Sequence, residues 1–335
     1  MSATAIIVRA LRRVTDGVAL FSFNRLGFEL NRLGFDRDDM PSDAGGRVAL
    51  VTGANSGIGR ATAVALARCG FDVWLLCRDA ARGEAARDAV AREGGAERAH
   101  LGIVDMSSLV SIRRFALDFP VSRVDVLVHN AGVLPRKRQL SQDGVELAFA
   151  TSVLGPFALT RLLVDRLERS FDARVIFVAS GGLYLQRLDL SLVDAGTRRF
   201  DGPIVYANAK RAQVVLGHIL ANRLSLTSRI TFASMHPGWV DTTALRASLP
   251  QFHAVMKPFL RTPEQGADTV VWLAASARAK ETSGKFWFDR QVAREYPLPW
   301  TRESDEAQTK LLRLCEALSG LSFETAGSRS VTQAM

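Results

Sequence analysis

Cysteine and lysine are both scarce in this chain of 335 residues. The three cysteines, Cys69, Cys77 and Cys315, form no paired framework of the kind that staples small secreted domains, and they suit a reducing compartment. Lysine supplies only six of the 43 basic residues, so the formal charge of +9 rests on an arginine-rich surface. No zinc-ligand spacing, RNP-like aromatic motif or tight basic run accompanies that charge, which argues against a metal and against nucleic acid as a partner. No apolar run reaches the roughly 18 to 20 residues of a spanning helix, and the N-terminus lacks a clear signal-peptide core and cleavage site. The expectation is a cytoplasmic protein. An apolar fraction of 47% is enough for a substantial core, in one large α/β domain with additions or in two small ones.

Tyr206-Ala207-Asn208-Ala209-Lys210 is the stretch around which the chain is organised. Residues four apart lie on one face of a helix, so the Tyr206 phenol and the Lys210 ammonium can enter one site. A free phenol ionises near pH ~10, and a fixed cation beside it favours the phenolate, which brings proton exchange with a substrate oxygen closer to neutral pH. The same spacing also arises in helices that merely pack a tyrosine and extend a lysine stem into water.

Residues 1–46 precede the first strand and are placed outside the main domain. Asn24-Arg25-Leu26-Gly27-Phe28 recurs seven residues later as Asn31-Arg32-Leu33-Gly34-Phe35, which repeats one helical face after two turns. Apolar Ile6, Ile7, Leu11, Val14, Val18 and Phe21 alternate with Arg9, Arg12, Arg13 and Arg25. Residues 1–36 therefore read either as a basic amphipathic segment on an anionic membrane or as a helix packed on the main domain or a second subunit.

Val48 to Thr52 is a continuous apolar run, as in a strand covered on both faces of a parallel sheet. The turn Gly53-Ala54-Asn55-Ser56-Gly57-Ile58-Gly59 follows and opens a helix, the arrangement that presents unpaired N–H groups to a pyrophosphate. A strand from Asp72 to Leu76 ends in Cys77-Arg78-Asp79, where an arginine accommodates a 2′-phosphate and an acid favours a free 2′-hydroxyl. Arg78 points to NADP(H), with NAD(H) as the alternative because Asp79 either caps the helix over residues 80–93 or faces the ribose. A strand over Ala99 to Val104 leads to Asp105 and Met106; Asp105 either accepts from an adenine amine or caps a helix from Ser107. A strand over Val124 to Val128 runs into His129-Asn130-Ala131-Gly132, where Asn130 and Gly132 can hold the sheet open beside a cofactor. A long helix from near Asp143 carries Ser152. The strand Arg174 to Val178 delivers Ser180, and the strand Ile230 to Ser234 leads into His236-Pro237-Gly238-Trp239-Val240-Asp241-Thr242.

The glycine turn, His-Asn-Ala-Gly, Ser180, Tyr206 with Lys210, and Pro237-Gly238, in that order, resemble the short-chain dehydrogenase/reductase family over about residues 47 to 290. Cys77-Arg78-Asp79, Val178-Ala179-Ser180-Gly181-Gly182, the run from Tyr206 to Leu216, Ser234 to Trp239 and Glu264 to Thr269 resemble one orphan subgroup of it, the member-12-like dehydrogenase/reductases. The resemblance implies an α/β fold, a single Rossmann-type doubly wound domain with a central parallel sheet of about seven strands. It spans residues 47–290 with a substrate loop at about 239–262, and residues 291–335 form a C-terminal helix and tail. It further implies Tyr206 as proton donor, Lys210 as the group that lowers its pKa and bonds the nicotinamide ribose, and Ser180 as the residue that orients the substrate oxygen. Gly53, Asn55, Ser56, Gly57, Ile58 and Gly59 would surround the cofactor together with Arg78, Asp105, Met106, Asn130, Ala131 and Gly132. Pro237, Gly238, Val240 and Thr242 would complete its site.

Two positions depart from the family pattern. His129 stands where asparagine is frequent, and Ser152 stands at the position of the family's fourth catalytic residue, an asparagine thought to hold a proton-relaying water. The implied activity is NADPH-dependent reduction of an apolar small-molecule carbonyl, or oxidation of the matching alcohol. Loops 133–142, 181–203 and 239–262 form the expected pocket, with Leu134, Leu183, Tyr184, Trp239, Val240, Leu245 and Phe252 as its apolar wall. The alternative is a dinucleotide-binding sensor or interaction protein with weakened catalysis. A helix over Glu303 to Leu318 is expected to close over the pocket or meet a partner subunit, and analogy with the fold suggests a homo-oligomer built on the two long helices.

Overall fold

Strand β1 (Val48–Thr52) is buried along its whole length and lies at the centre of an eight-stranded sheet. The computed structural model describes residues 22–36, 39–41, 43–95, 97–193, 200–224 and 228–323, so the apolar set from Ile6 to Phe21 lies outside the described residues. The other strands are β2 (Asp72–Cys77), β3 (Ala99–Ile103), β4 (Val126–His129), β5 (Arg174–Val178), β6 (Thr231–Met235), β7 (Lys285–Phe288) and β8 (Gln291–Val292). Their order is β3-β2-β1-β4-β5-β6-β7-β8, parallel throughout except that β8 pairs antiparallel with β7. The sheet thus has one more strand than the expected seven. The extra strand has two residues and follows a turn at Asp289 and Arg290, whose φ values are 47° and 57°. A pair of that length leaves no alternating pattern to read.

Because β2 and β3 build outward on one side of β1 and β4 begins on the other, parallel to it, the order of strand addition reverses between β1 and β4. The carboxyl ends of those two strands open a crevice at the point where such sheets bind dinucleotides. Alternate strand residues feed two cores. Leu50, Leu127, Val175 and Phe177 face one layer. Ala49, Val51, Val128 and Ile176 face the other. This alternation explains why the strands read as unbroken apolar runs.

One layer is formed by helices α2 (Gly57–Arg68), α3 (Ala80–Gly94) and α9 (Pro263–Ala275). The other contains α4 (Leu109–Asp118), α5 (Leu147–Glu168), α6 (Gly202–Leu224) and α10 (Asp305–Ser319). Two short helices, α7 (Thr243–Ser248) and α8 (Pro250–Met256), lie in the loop after β6. The window of α5 reaches a mean hydropathy of 1.6, enough by length and composition to cross a membrane, which corrects the expectation that no segment does so. Its residues are 78% buried inside the fold, as in a core helix. It starts at Leu147 rather than near Asp143 because the Glu146 carboxylate accepts from the N–H groups of Ala148 and Phe149. Similarly, Ser108 rather than Asp105 caps α4.

The described part of the N-terminal segment forms helix α1 (Arg25–Arg32), capped by Asn24. The sequence repeat turns Phe28 and Phe35 inward beneath the guanidinium groups of Arg261 and Arg290, at 5.2 and 4.5 Å from the ring centroids. Asn31 donates to Asp289 at 2.8 Å. The same repeat leaves Leu26 and Leu33 exposed. At the other end, α10 packs on α6, with Leu311, Leu312 and Cys315 in the same core as Leu216 and Leu220. It lines no part of the crevice and instead seats Phe323 against Phe157. Of the two expectations for this helix, closure over the pocket or contact with a partner subunit, the first is not met: the apolar face of α10 finds its cover on α6.

Candidate active site

The turn after β1 places Gly53 at φ 66°, a left-handed conformation in which a side chain would be strained. Six residues on, a Cβ on Gly59 would lie 2.5 Å from both the Asn130 amide nitrogen and the Gly53 carbonyl. Only glycine lets the start of α2 approach the end of β4 so closely. Asn130 locks the junction: its side chain donates to the Thr52 carbonyl at 2.9 Å and its backbone N–H to Thr52 Oγ1 at 3.0 Å. Ser56, at the N-cap of α2, makes no side-chain cap, so the first N–H groups of the helix remain open to an anion in the crevice. These features fit a pyrophosphate.

Arg78, just after β2, and Arg82, in the first turn of α3, border the same crevice. The Asp79 carboxylate accepts from the Arg82 N–H at 2.9 Å and caps α3, a bond that holds its pKa below the usual carboxylate range. Asp105 Oδ1 accepts from the N–H and hydroxyl of Ser107 at 2.9 and 2.7 Å. His129, the first departure from the family pattern, is fully buried, stacks on Phe177 and shares a 2.8 Å hydrogen bond with Thr160. Burial first, and then the Lys210 charge, lower its pKa to about 3, so the imidazole is neutral.

A single cavity of about 720 Å³ joins this crevice to the ends of β5 and β6. Gly53, Asn55, Ser56, Gly57 and Ile58 line it, as do Arg78, Asp105, Met106, Asn130, Ala131 and Gly132. So do Ser180, Tyr206 and Lys210, with Pro237, Gly238, Val240 and Thr242. Gly59 and Ser152 do not: Gly59 is wedged under Asn130, and Ser152 is buried behind Gly132, in a π-helical turn of α5 spanning Ala150–Leu154.

Tyr206 and Lys210 occupy one face of α6 as their spacing requires, with the ammonium 5.9 Å from the tyrosine ring centroid. Lys210 is 2% exposed and donates to the Val178 carbonyl at 2.8 Å and to Gln213 Oε1 at 3.0 Å. Burial lowers its pKa to about 7. Burial also pushes the Tyr206 phenol up to about 12, partly offset by a hydrogen bond with Ser180. The expected depression of the phenol is therefore not produced by this geometry: desolvation acts on both groups, and it weakens the cation meant to favour the phenolate.

The far wall of the cavity carries Leu134, Trp239, Val240, Leu245 and Phe252. Leu183 and Tyr184, expected in that wall, lie outside it. Leu183 is fully buried beside Val214 and Phe286, and Tyr184 stacks on Phe23. Loop 239–262 closes on itself, as Arg261 N–H donates to the Trp239 carbonyl at 2.7 Å. It is tied across the cavity by Ser248, whose hydroxyl donates to the Leu134 carbonyl at 2.9 Å. The N-terminal segment braces it too, since Trp239 N–H donates to the Phe23 carbonyl at 2.8 Å.

The pattern of the family described as short chain dehydrogenase matches residues 47–253. The chain belongs to the short-chain dehydrogenase/reductase family. Dehydrogenase/reductase SDR family member 12 from Bos taurus is 42% identical over 303 residues, covering 90% of this chain and 95% of that protein. Retinol dehydrogenase 11 from Mus musculus is 33% identical, over 74% of this chain and 79% of its own. A solved structure of an uncharacterized Mycobacterium paratuberculosis protein superposes with a TM-score of 0.70 at 28% identity, covering 87% of this chain and 99% of that one. Two further solved structures, 25% and 26% identical with TM-scores of 0.59, hold NADP. This short-chain dehydrogenase/reductase is thus an NAD(P)-dependent oxidoreductase of a small-molecule substrate. Sequence reasoning passed over Arg82 and Gln213. The signal for each was helical spacing, three residues beyond Asp79 and Lys210 respectively.

Proposed function

We propose that this enzyme is an NADPH-dependent reductase of an apolar carbonyl compound. The observation that carries the reading is the convergence of Ser180, Tyr206 and Lys210 on one cavity that also has an apolar wall, with the Lys210 ammonium 5.9 Å from the tyrosine ring centroid. NADPH supplies the hydride when bound. Tyr206 gives its hydroxyl proton to the substrate oxygen, and Ser180 hydrogen-bonds that oxygen and orients it. Lys210 keeps a positive charge beside the phenolate left behind. Gly53 to Ile58 and the open N–H groups of α2 hold the pyrophosphate. Preference for the phosphorylated cofactor is supported by Arg78, just after β2, and Arg82, in the first turn of α3, and by the bond from the Arg82 N–H that engages one oxygen of Asp79 in capping α3. Leu134, Trp239, Leu245 and Phe252 favour a hydrophobic substrate.

The test is Tyr206→Phe, assayed with NADPH against decanal, all-trans-retinal and 9,10-phenanthrenequinone. Turnover should fall by roughly a hundred- to ten-thousand-fold with NADPH binding nearly intact. Retained turnover would sink the assignment.

A specific observation also supports peripheral membrane contact through residues 1–36. Helix α1 turns Leu26 and Leu33 outward, 59% and 66% exposed, beside the exposed Arg25 and Arg32. Full-length protein should sediment with anionic vesicles at low salt and be released by Leu26→Ser with Leu33→Ser; failure to sediment removes this part of the reading.

A further inference from the structure

An ammonium group has three protons to donate, and two of those on Lys210 are spent inside the protein, on Val178 and Gln213. Gln213 is fully buried and lies outside the cavity, nearly one turn further along α6. Its carbonyl oxygen faces the ammonium. Its amide nitrogen has no hydrogen-bond partner among the described residues, and neither has the hydroxyl of Ser152. Gly132 stands between Lys210 and Ser152: a methyl group there would lie 3.2 Å from Lys210 Nζ and 3.7 Å from Ser152 Oγ. Residue 152 therefore makes no bond to the lysine, and the side chain that does so comes from α6 itself.

We propose that Gln213 is the positioning residue of Lys210, its Oε1 fixing the ammonium beside Tyr206 and favouring the charged form. A buried cation needs acceptors for the protons it cannot share with water, and each acceptor favours the charged state over the neutral one. Without the Gln213 oxygen, only the Val178 carbonyl would remain. The ammonium would then lose its proton more readily, and its stem would be free to swing from the tyrosine. In the reduction, the carbonyl carbon gains the hydride, the carbonyl oxygen gains the Tyr206 proton, and the resulting phenolate needs the charge that Gln213 holds in place. That use of Gln213 rests on the proposed reductase chemistry; its effect on the lysine does not.

The experiment exploits the six lysines of the chain. Protein labelled with ¹³C at lysine Cε gives few resonances, and Lys210→Arg identifies the one to follow. Its titration is recorded for the parent, Gln213→Leu and Gln213→Glu, with no cofactor or substrate present. Gln213→Leu should make the ammonium a stronger acid by roughly tenfold or more, and Gln213→Glu should make it weaker. A residue that merely fills space would leave the Gln213→Leu midpoint where the parent has it, and that result in folded protein overturns the proposal. If Gln213→Leu fails to fold, Gln213→Met, of similar length and without the acceptor oxygen, decides in its place by the same shift. With NADPH and decanal, Gln213→Leu should also lower kcat by roughly ten- to a hundredfold. A parent protein that oxidises no NADPH with any of the carbonyl probes removes the reductase reading and leaves the titration to decide on Gln213.

Discussion

Arg261 and Asp289 form a two-bond ion pair of 2.6 and 2.9 Å with only 1% and 2% of their side chains exposed. Arg261 also donates to the carbonyls of Ser22 and Asn24, at 2.8 and 3.2 Å, so one guanidinium ties the N-terminal segment to the base of the substrate loop. Replacing it with Met leaves Asp289 buried and unpaired. Arg261→Met should cost about 3–5 kcal/mol, measured by urea denaturation, and make the segment before α1 a preferred site of limited proteolysis. Equal stability of variant and parent would show the clasp to be dispensable.

Arg78→Ala should raise the Kd for NADPH by about ten- to a hundredfold and leave that for NADH within a few-fold, read by nicotinamide fluorescence. Asp79→Ala should lower stability through the lost cap of α3, with little effect on either cofactor. A large loss of NADH binding in Asp79→Ala would place the carboxylate on the ribose instead.

The buried lysine predicts how stability depends on pH. Its pKa is lowered in the folded protein, from 10.5 to about 7, so between those values the unfolded chain binds the extra proton. The lysine thus contributes a stability that rises with pH through that window and is lost as pH falls. Lys210→Met removes this dependence. Measured by denaturation, the variant should gain relative to the parent as pH is lowered from 10 to 6, by on the order of a few kcal/mol. A difference that stays constant over the range would contradict a buried, depressed lysine.

Leu311 of α10 has no exposed surface and joins the core made by α5 and α6. Leu311→Ala should cost about 2–5 kcal/mol, with a lower midpoint in thermal unfolding. A change under about 0.5 kcal/mol, as at a surface position, would mean that α10 is not docked as described.

Much of the fold was legible because it depends on local patterns. Strands covered on both faces are continuous apolar runs, and β5 matches its expected bounds, Arg174 to Val178. The glycine turn had to be glycine because the start of α2 meets Asn130 at close range. That Tyr206 and Lys210 share one face of a helix was readable from spacing, although the same spacing also serves helices that merely pack a tyrosine. Boundaries shifted where a neighbouring side chain took over a cap, as Ser108 did from Asp105 and Glu146 did at α5. Strand β8 went unread because two residues carry no period.

The ordered motifs by themselves carried the resemblance that implies the family and its doubly wound sheet, and helix periodicity, a short-range property, put Tyr206 and Lys210 on one face of α6. Only tertiary structure supplies the burial that shifts the titration of Tyr206 and Lys210. Desolvation depends on what packs around a group, so the phenol rose and the lysine fell where spacing suggested the reverse for the phenol. It also decided which apolar residues face the cavity, sending Leu183 and Tyr184 into the body of the protein and leaving Trp239 and Phe252 at the wall. The acceptor on Lys210 and the clasp at Arg261 are likewise products of packing. The clasp joins groups as far apart in the chain as Ser22 and Asp289, which no local pattern could bring together.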